Sequence, residues 1–405
     1  MNKVSSQIVW VYIYLGLISV VYFFSILVGC PFVIGVVVAA AVGIFSYRFV
    51  TKNAVPFECS SRWELALSYL IFLAGLFVIA YKVFYIEKKY GDWDAWYMWN
   101  YHGKFLADSK HWKGMFQLQS YYHPDYPLYI PGFLAFFWRM MGNTNVLVGY
   151  AFGLFTTIAV PVLIFLQLYR KNLLVASIVL FIFATDEFYL QHAVAQYADL
   201  PLGALLLCAL ICKQDVKEQP TNVISIAALC GCCMWMKNEG LMIALIFMAF
   251  NFRMLFFEGQ YKKSLPVLLL FGLALLLLKI QAPANDMVNG AHEKIFKNIF
   301  SGERYGLIYN SIVYNFDHHF QACKITIILF LVYCIVRRRL PMDALMMLGI
   351  GIAYFMVYLL LSDHLEWQLE TSLDRIILQL MPAGWYIMAR QLSDVPLRLK
   401  KRTAK

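Results

Sequence analysis

The chain is poor in charge. Only 14% of its 405 residues are Asp, Glu, Lys or Arg, well under the roughly one quarter of an ordinary soluble domain. So few charges cannot dress a water-exposed surface. No Walker or Rossmann glycine pattern and no Ser-centred elbow occurs, which excludes the familiar nucleotide and serine-hydrolase sites. Strict alternation over ten-residue segments is missing as well, so an outer-membrane barrel is not encoded. No interval is long and polar enough for a soluble catalytic domain, and any chemistry must be done by loops. Nine cysteines, Cys30, Cys59, Cys208, Cys212, Cys230, Cys232, Cys233, Cys323 and Cys334, lie within or beside apolar runs and form no disulfide framework. The CGCC run at 230–233 has no His or carboxylate at ligand spacing, so it reads as small residues in helix packing.

What the chain has is 61% hydrophobic residues and a mean hydropathy of +0.64. Apolar runs of about 17 to 25 residues recur along its length, the size of a membrane-crossing helix. The expected fold is an all-α polytopic membrane protein of about twelve transmembrane helices (roughly ten to thirteen), with a long first outer loop bearing interfacial helices. It reads as a single membrane-embedded domain over 1–405. Two N-terminal spans fill 1–50, a catalytic outer loop with an interfacial helix occupies 87–142, a second outer loop 283–322, and a basic cytoplasmic tail 393–405. The first apolar run has no convincing cleavage site and is expected to be retained. The segment Leu128 to Met141 is too short for a full span and suits a re-entrant or interfacial helix.

The net charge of +10 is dispersed in short loops and the tail, which favours anionic headgroups over nucleic acid as partner. With both termini inside, Arg48, Arg170, Lys171, Lys213, Lys217, Arg253, Lys262 and Arg337 to Arg339 fall in cytoplasmic connections. The same parity places every chemically rich segment on the outer face: Asp92 to Asp125, 186 to 199, Lys237 to Gly240, 283 to 322 and 362 to 374. Parity was set by loops other than those carrying the motifs, so their convergence is an independent sign of one extracytoplasmic site.

Each motif has a plain reading beside the functional one. Asp92 and Asp94 flank Trp93 in GDWDAWYMWN. A carboxylate there can act as general base or hold a divalent cation, Mg or Mn, or the group is an aromatic interface belt with solvated acids. His123 and Asp125 lie in HPDYPLYIP, where three prolines stiffen a non-helical turn; the alternative is a plain lead-in to an interfacial helix. Tyr197 and Asp199 stand in YADLPLG, where Asp199 serves a site or caps a helix. Lys237 and Glu239 of KNEG either pair with each other or meet a lipid-linked phosphate. Trp367 and Arg375 belong to LEWQLETSLDRIILQLMP, where Arg375 grips a phosphate or pairs with Asp374, Glu370 or Glu366. In 283–322, His292, Glu293, Arg304, Asp317, His318 and His319 are further polar residues, with His318 and His319 adjacent and off a common helical face. Lys279 is a lone charge inside a predicted span, the one residue that leans toward transport.

On WDAWYMWNYHGKFL, HPDYPLYIP, YADLPLG, KNEG and LEWQLETSLDRIILQLMP, the chain from about Glu64 to Pro382 resembles the GT-C superfamily of integral-membrane glycosyltransferases. The branch it resembles holds bacterial proteins akin to the protein O-mannosyltransferases and the aminoarabinose transferase of lipid A. The resemblance implies a polyprenyl-phosphate sugar donor, an extracytoplasmic acceptor in a cell-envelope glycan, lipid or protein, and a bacterial inner membrane. Asp94 matches the essential acid of the first outer loop, with Asp92 the less typical of the pair. Lys237 and Arg375 match basic positions suited to the donor phosphate, and His123 with Asp125 the second loop motif. Relatives using monosaccharide donors are thought to need no metal. Two spans precede the loop-bearing one where better-known members have none, and residues 367–369 read WQL where a central histidine is expected. Rival expectations are a flippase or transporter of lipid-linked sugars, or a surface-polysaccharide polymerase or ligase.

Overall fold

The computed structural model describes residues 1–52, 62–119, 122–257, 259–284, 295–361 and 364–393. Cys59, His292, Glu293 and the basic tail beyond Ser393 lie outside the described residues. Among those described, 83% are helical and no strand occurs, so backbone groups are satisfied within helices, as a lipid environment demands. The order is α1 (Lys3–Leu27), α2 (Phe32–Thr51), α3 (Arg62–Tyr85), a π-helical turn (Ala95–Asn100), α4 (Tyr101–Ala107), a 3-10 turn (Trp112–Gln117), α5 (Tyr129–Met141), α6 (Leu147–Leu168), α7 (Leu173–Thr185), α8 (Glu187–Val194), α9 (Asp199–Gln214), α10 (Asn222–Met236), α11 (Asn238–Phe250), α12 (Phe252–Phe256), α13 (Tyr261–Gln281), α14 (Ile295–Ile299), α15 (Gly302–His318), α16 (Gln321–Arg337), α17 (Met342–Leu361) and α18 (Leu365–Ser393).

Six of the described helices, α1, α2, α3, α6, α13 and α17, are long and apolar enough to cross a membrane. The count rises to eight if α7 with α8, bent by 64°, and α15 with α16, bent by 104°, each form one span. The expected twelve is larger because it also counts α9, α10, α11 and the apolar part of α18, which is not among those eight; the first three are short. At 16, 15 and 13 residues they are shorter than the roughly 20 that a straight crossing needs.

Helix α1 is a central pillar rather than an added span. Its polar side chains fasten the chain between α4 and α5: Tyr22 Oη donates to the Leu106 carbonyl at 2.7 Å and Ser19 Oγ to that of Leu128 at 2.5 Å. In return Tyr129 Oη donates to the Tyr12 carbonyl at 2.6 Å. Helix α2 lies against α1 through a stripe of small residues, Gly35, Ala39, Gly43 and Ser46, the spacing that lets helices approach closely in lipid. Helix α5, expected in the interface or as a re-entrant segment, is buried from Tyr129 to Phe136. It is therefore an interior helix resting on α1, and Pro131 is tolerated because it stands in the first turn.

Helices α9 and α18 pack on each other at the core. The contact depends on Gly203, where a Cβ would lie 2.4 Å from the Gln379 carbonyl oxygen. Helix α9 also separates two ends of the bundle by about 24 Å, at 1.5 Å per residue. At its C-terminal end the chain's amino group pairs with Asp215, and Lys213 with Asp343. At its N-terminal end lies the cluster described next.

Candidate functional site

Local geometry delivers four distant segments to one place. Gly91 takes a positive φ of 79°, which suits glycine, and the Asp92 amide donates to the Ala195 carbonyl at 3.0 Å. Gln196 returns a bond to the Lys89 carbonyl at 3.1 Å. The loop carrying Asp94 is thus strapped onto the turn that opens α9. Asp94 begins the π-helical turn, a local distortion often found at functional sites. Between α10 and α11 the chain is extended at Lys237, with φ −159° and ψ 158°. That break is held close by Gly240, whose missing Cβ would fall 1.9 Å from the Cys233 carbonyl oxygen.

Asp199 is the hub. Its buried carboxylate accepts from Lys237 Nζ at 3.1 Å and Gln379 Nε2 at 2.5 Å on Oδ1, and from Arg375 Nε at 3.2 Å on Oδ2. Arg375 reaches on with Nη2 to Asp94 Oδ2 at 2.5 Å, and its guanidinium stacks over Tyr197 at 4.6 Å. Lys237 Nζ also meets Glu239 at 3.3 Å, and Tyr354 Oη donates to Gln379 Oε1. Asp94, Asp199 and Lys237 are buried, so their charges are stabilised by one another rather than by water.

A second group adjoins the first through the same break. Lys279, at the end of α13, donates to the Asp125 carbonyl at 2.7 Å, to Asp125 Oδ2 at 3.3 Å and to Asn238 Oδ1 at 2.8 Å. Asn238 Nδ2 donates to Asp125 Oδ2 at 2.8 Å. One residue on, the Tyr126 ring stacks with His123 at 4.6 Å and with Trp99 at 6.0 Å, and Lys237 Nζ lies 6.0 Å from its centroid. His123 holds a left-handed backbone with φ 49°, uncommon outside glycine.

Of the residues expected in the site, Asp94, Tyr197, Asp199, Lys237, Glu239 and Arg375 come together, with His123 and Asp125 beside them. Two do not join. Asp92 pairs with Lys88 outside the cluster, and Trp367 is 64% exposed, two turns above Arg375. Arg375 ignores Asp374, Glu370 and Glu366 as side-chain partners in favour of acids 176 and 281 residues away. The capping alternative for Asp199 also gives way, since Ala198 is the N-cap. The Lys237 to Glu239 pair does form, as one edge of the larger network. Asn238, Gln379, Tyr354, Tyr126 and Lys279 are the members not foreseen. Asn238 lies inside KNEG and Gln379 interrupts an apolar run one turn past Arg375, so both left a signal; Lys279 left one that pointed to transport.

Burial lifts the Asp94 carboxyl above its ordinary range, against the opposing pull of Arg375. Asp92 is lowered, chiefly by its hydrogen bond from Lys88. Burial lowers His123, and it carries the enclosed His102 down to about 4. The fit for a divalent cation at Asp92 and Asp94 is poor, because one carboxylate turns to Lys88 and the other to Arg375. Among the described residues no group of three or more His, Cys, Asp or Glu converges in a way that could hold a metal. No family model, no curated protein and no solved structure matches the chain.

Proposed function

We propose that the protein is a GT-C-like glycosyltransferase of the bacterial inner membrane, which moves a sugar from a polyprenyl phosphate to an extracytoplasmic acceptor with inversion. The observation that carries this reading is the assembly of two cations, Lys237 and Arg375, and an acid, Asp94, from three separate motifs around Asp199 of a fourth, at one end of an apolar bundle. A lipid-linked phosphate needs that combination: a charged headgroup site at the end of helices against which a hydrocarbon tail can lie. In this reading about twelve segments enter the membrane, the site end faces outward and both termini lie inside.

The acceptor oxygen attacks the anomeric carbon as the bond from that carbon to the phosphate oxygen breaks. The phosphate leaves with the electron pair and needs charge stabilisation rather than a proton. Arg375 and Lys237 supply it. Arg375 has donors to spare, since only Nε and one Nη2 hydrogen are spent on carboxylates and a guanidinium has five. Asp94 orients the acceptor hydroxyl. Lys279 does not favour a transport path, because it is fastened at the same end with its three donors engaged.

The test is transfer of radiolabel from a panel of polyprenyl-phosphate monosaccharides in membranes holding equal amounts of wild type, Asp94→Asn and Lys237→Ala. Label is expected in a new acceptor with wild type, with loss of about 100-fold or more in either variant. Label crossing the bilayer unchanged instead would replace this reading with transport.

A further inference from the structure

We propose that His123 is the proton acceptor of this reaction, taking the proton from the acceptor hydroxyl as its oxygen bonds to the anomeric carbon. The inference rests on the glycosyl-transfer reading and adds a residue to it.

The hydroxyl proton must go somewhere, and the acids of the cluster are occupied. Asp94 is held by Arg375, Asp199 by three donors, and Asp125 by Lys279 and Asn238. Burial raises the Asp94 carboxyl, but its Oδ2 is committed to the Arg375 guanidinium, so taking a proton there would break a buried ion pair. Glu239 gives one oxygen to Lys237, and its other, Oε2, is sealed from the surface. Asp92 lies outside on Lys88. Within the cluster, His123 is the titratable side chain that combines partial exposure with ring nitrogens that have no hydrogen-bond partner among the described residues.

Its presentation is built rather than incidental. Pro124 follows it, its backbone sits in the left-handed region, and its ring is laid flat on Tyr126, which Trp99 backs from within. Such strain is retained where surrounding structure imposes it, commonly at functional sites. The groups facing the imidazole are Asp125, Lys237, Glu239, Asp94 and, from α4, His102. Burial favours the neutral ring, the form with a lone pair to offer. The proton count closes: the hydroxyl loses H⁺ to the imidazole, the carbon–phosphate oxygen bond cleaves to a free lipid phosphate, and the imidazolium then returns its proton to water.

His123→Asn is the informative variant, because asparagine tolerates a left-handed backbone better than other side chains while removing the base. Purified wild type and variant in lipid nanodiscs would be compared for kcat and donor KM across pH 5 to 9, using the lipid-phosphate sugar that labels in the panel assay. The expected result is a kcat lower by about 10² to 10⁴, donor KM within about twofold, and loss of the acidic fall in kcat/KM that wild type shows below its imidazole pKa. A merely structural role would not remove that limb. A variant with near-normal kcat, or with the acidic limb intact, overturns the assignment and leaves glycosyl transfer standing. Folded wild type that transfers no sugar from any lipid phosphate at any pH overturns both.

Discussion

The charge ledger of the cluster predicts an asymmetry between two substitutions that break the same contact. Three carboxylates, Asp94, Asp199 and Glu239, face two cations, Lys237 and Arg375, so the fully ionised group is negative by one. Asp199→Asn brings it to zero. Lys237 keeps Glu239, Arg375 keeps Asp94, and the amide still has a carbonyl oxygen to accept a hydrogen bond; the cost is that of weakened bonds to charged groups, about 2 kcal/mol. Arg375→Gln takes the group to minus two and strips Asp94 of its ion pair while Asp94 and Asp199 stay buried. Removing one partner of a buried pair costs about 3–5 kcal/mol, and here Asp94 loses its cation while Asp199 keeps Lys237 and Gln379, so that range applies. Arg375→Lys does not restore the loss, because an ammonium cannot span both carboxylates as a fork does. Unfolding rates of the purified proteins in one detergent, at one temperature, give the order directly, which suits a protein whose unfolding is irreversible. The double variant is expected to cost less than the sum of the singles by about 1–3 kcal/mol. An Asp199→Asn protein that unfolds as fast as Arg375→Gln, or a cycle additive within about 0.5 kcal/mol, would refute this charge count.

Three further outcomes follow from the packing. Gly203→Ala is expected to destabilise by about 1–3 kcal/mol through overpacking, because the atom it strikes is the Gln379 backbone carbonyl on α18. Gly384→Ala on the same helix, with nothing within 4 Å of the new carbon, is expected to stabilise by up to about 1 kcal/mol; paired melting curves in detergent decide, and equal shifts would discount the close approach. His102, lowered to about 4 from an ordinary 6.5, makes the fold acid-sensitive. Its folded pKa lies below the unfolded one, so its contribution is complete above pH 6.5 and drains away as pH falls toward 4. The total is about 3 kcal/mol, and His102→Gln should flatten that part of a stability-versus-pH curve. Lys279→Met is expected to leave the Asp125 turn held to Asn238 by their one direct hydrogen bond and so to raise hydrogen exchange at 123–126 and 237–240 together, while Lys324→Met, which loses an exposed pair with Asp317, leaves both stretches unchanged.

Which end of the bundle a polar residue occupies could be read from the sequence, and its partner could not. Positive charge in short loops placed 92–125, 186–199, 237–240, 283–322 and 362–374 at one end, and the cluster takes Asp94, Asp199 and Lys237 from the first three and Arg375 from one place past the last. That inference works because each apolar run simply reverses the side, so a count of runs and a charge bias suffice. Pairing depends on how far α18 slides along α9, and no residue pattern in either helix states that. The register is set by Gly203 meeting the Gln379 carbonyl, one glycine among 23. A local reading therefore gave Arg375 its sequence neighbours Asp374, Glu370 and Glu366, the partners that a single helix offers at short spacing.

The same limit explains Lys279 and α1. A lysine near the end of an apolar run looks isolated in one dimension and suggests a polar path through the bilayer; in three dimensions its donors are met by Asp125 and Asn238, 154 and 41 residues away. Helix α1 looks like an extra span because its run is uniformly apolar, yet Tyr12, Ser19 and Tyr22 join it to the loop that carries the site. This linkage orders the consequences of change. Ser19 accepts from Trp235 Nε1 at 2.8 Å while donating to the Leu128 carbonyl, so it joins α10, one residue pair before Lys237, to the start of α5, just after Asp125. Ser19→Ala removes both bonds from a buried position and leaves the indole without its acceptor, a cost of about 1–3 kcal/mol. The displacement should appear at Asp125 and Lys237 before the rest of the bundle feels it. A crosslink between cysteines placed at 127 and 236 would report it: the yield should fall in Ser19→Ala relative to wild type, and an unchanged yield would mean that α1 supports the bundle without positioning the site.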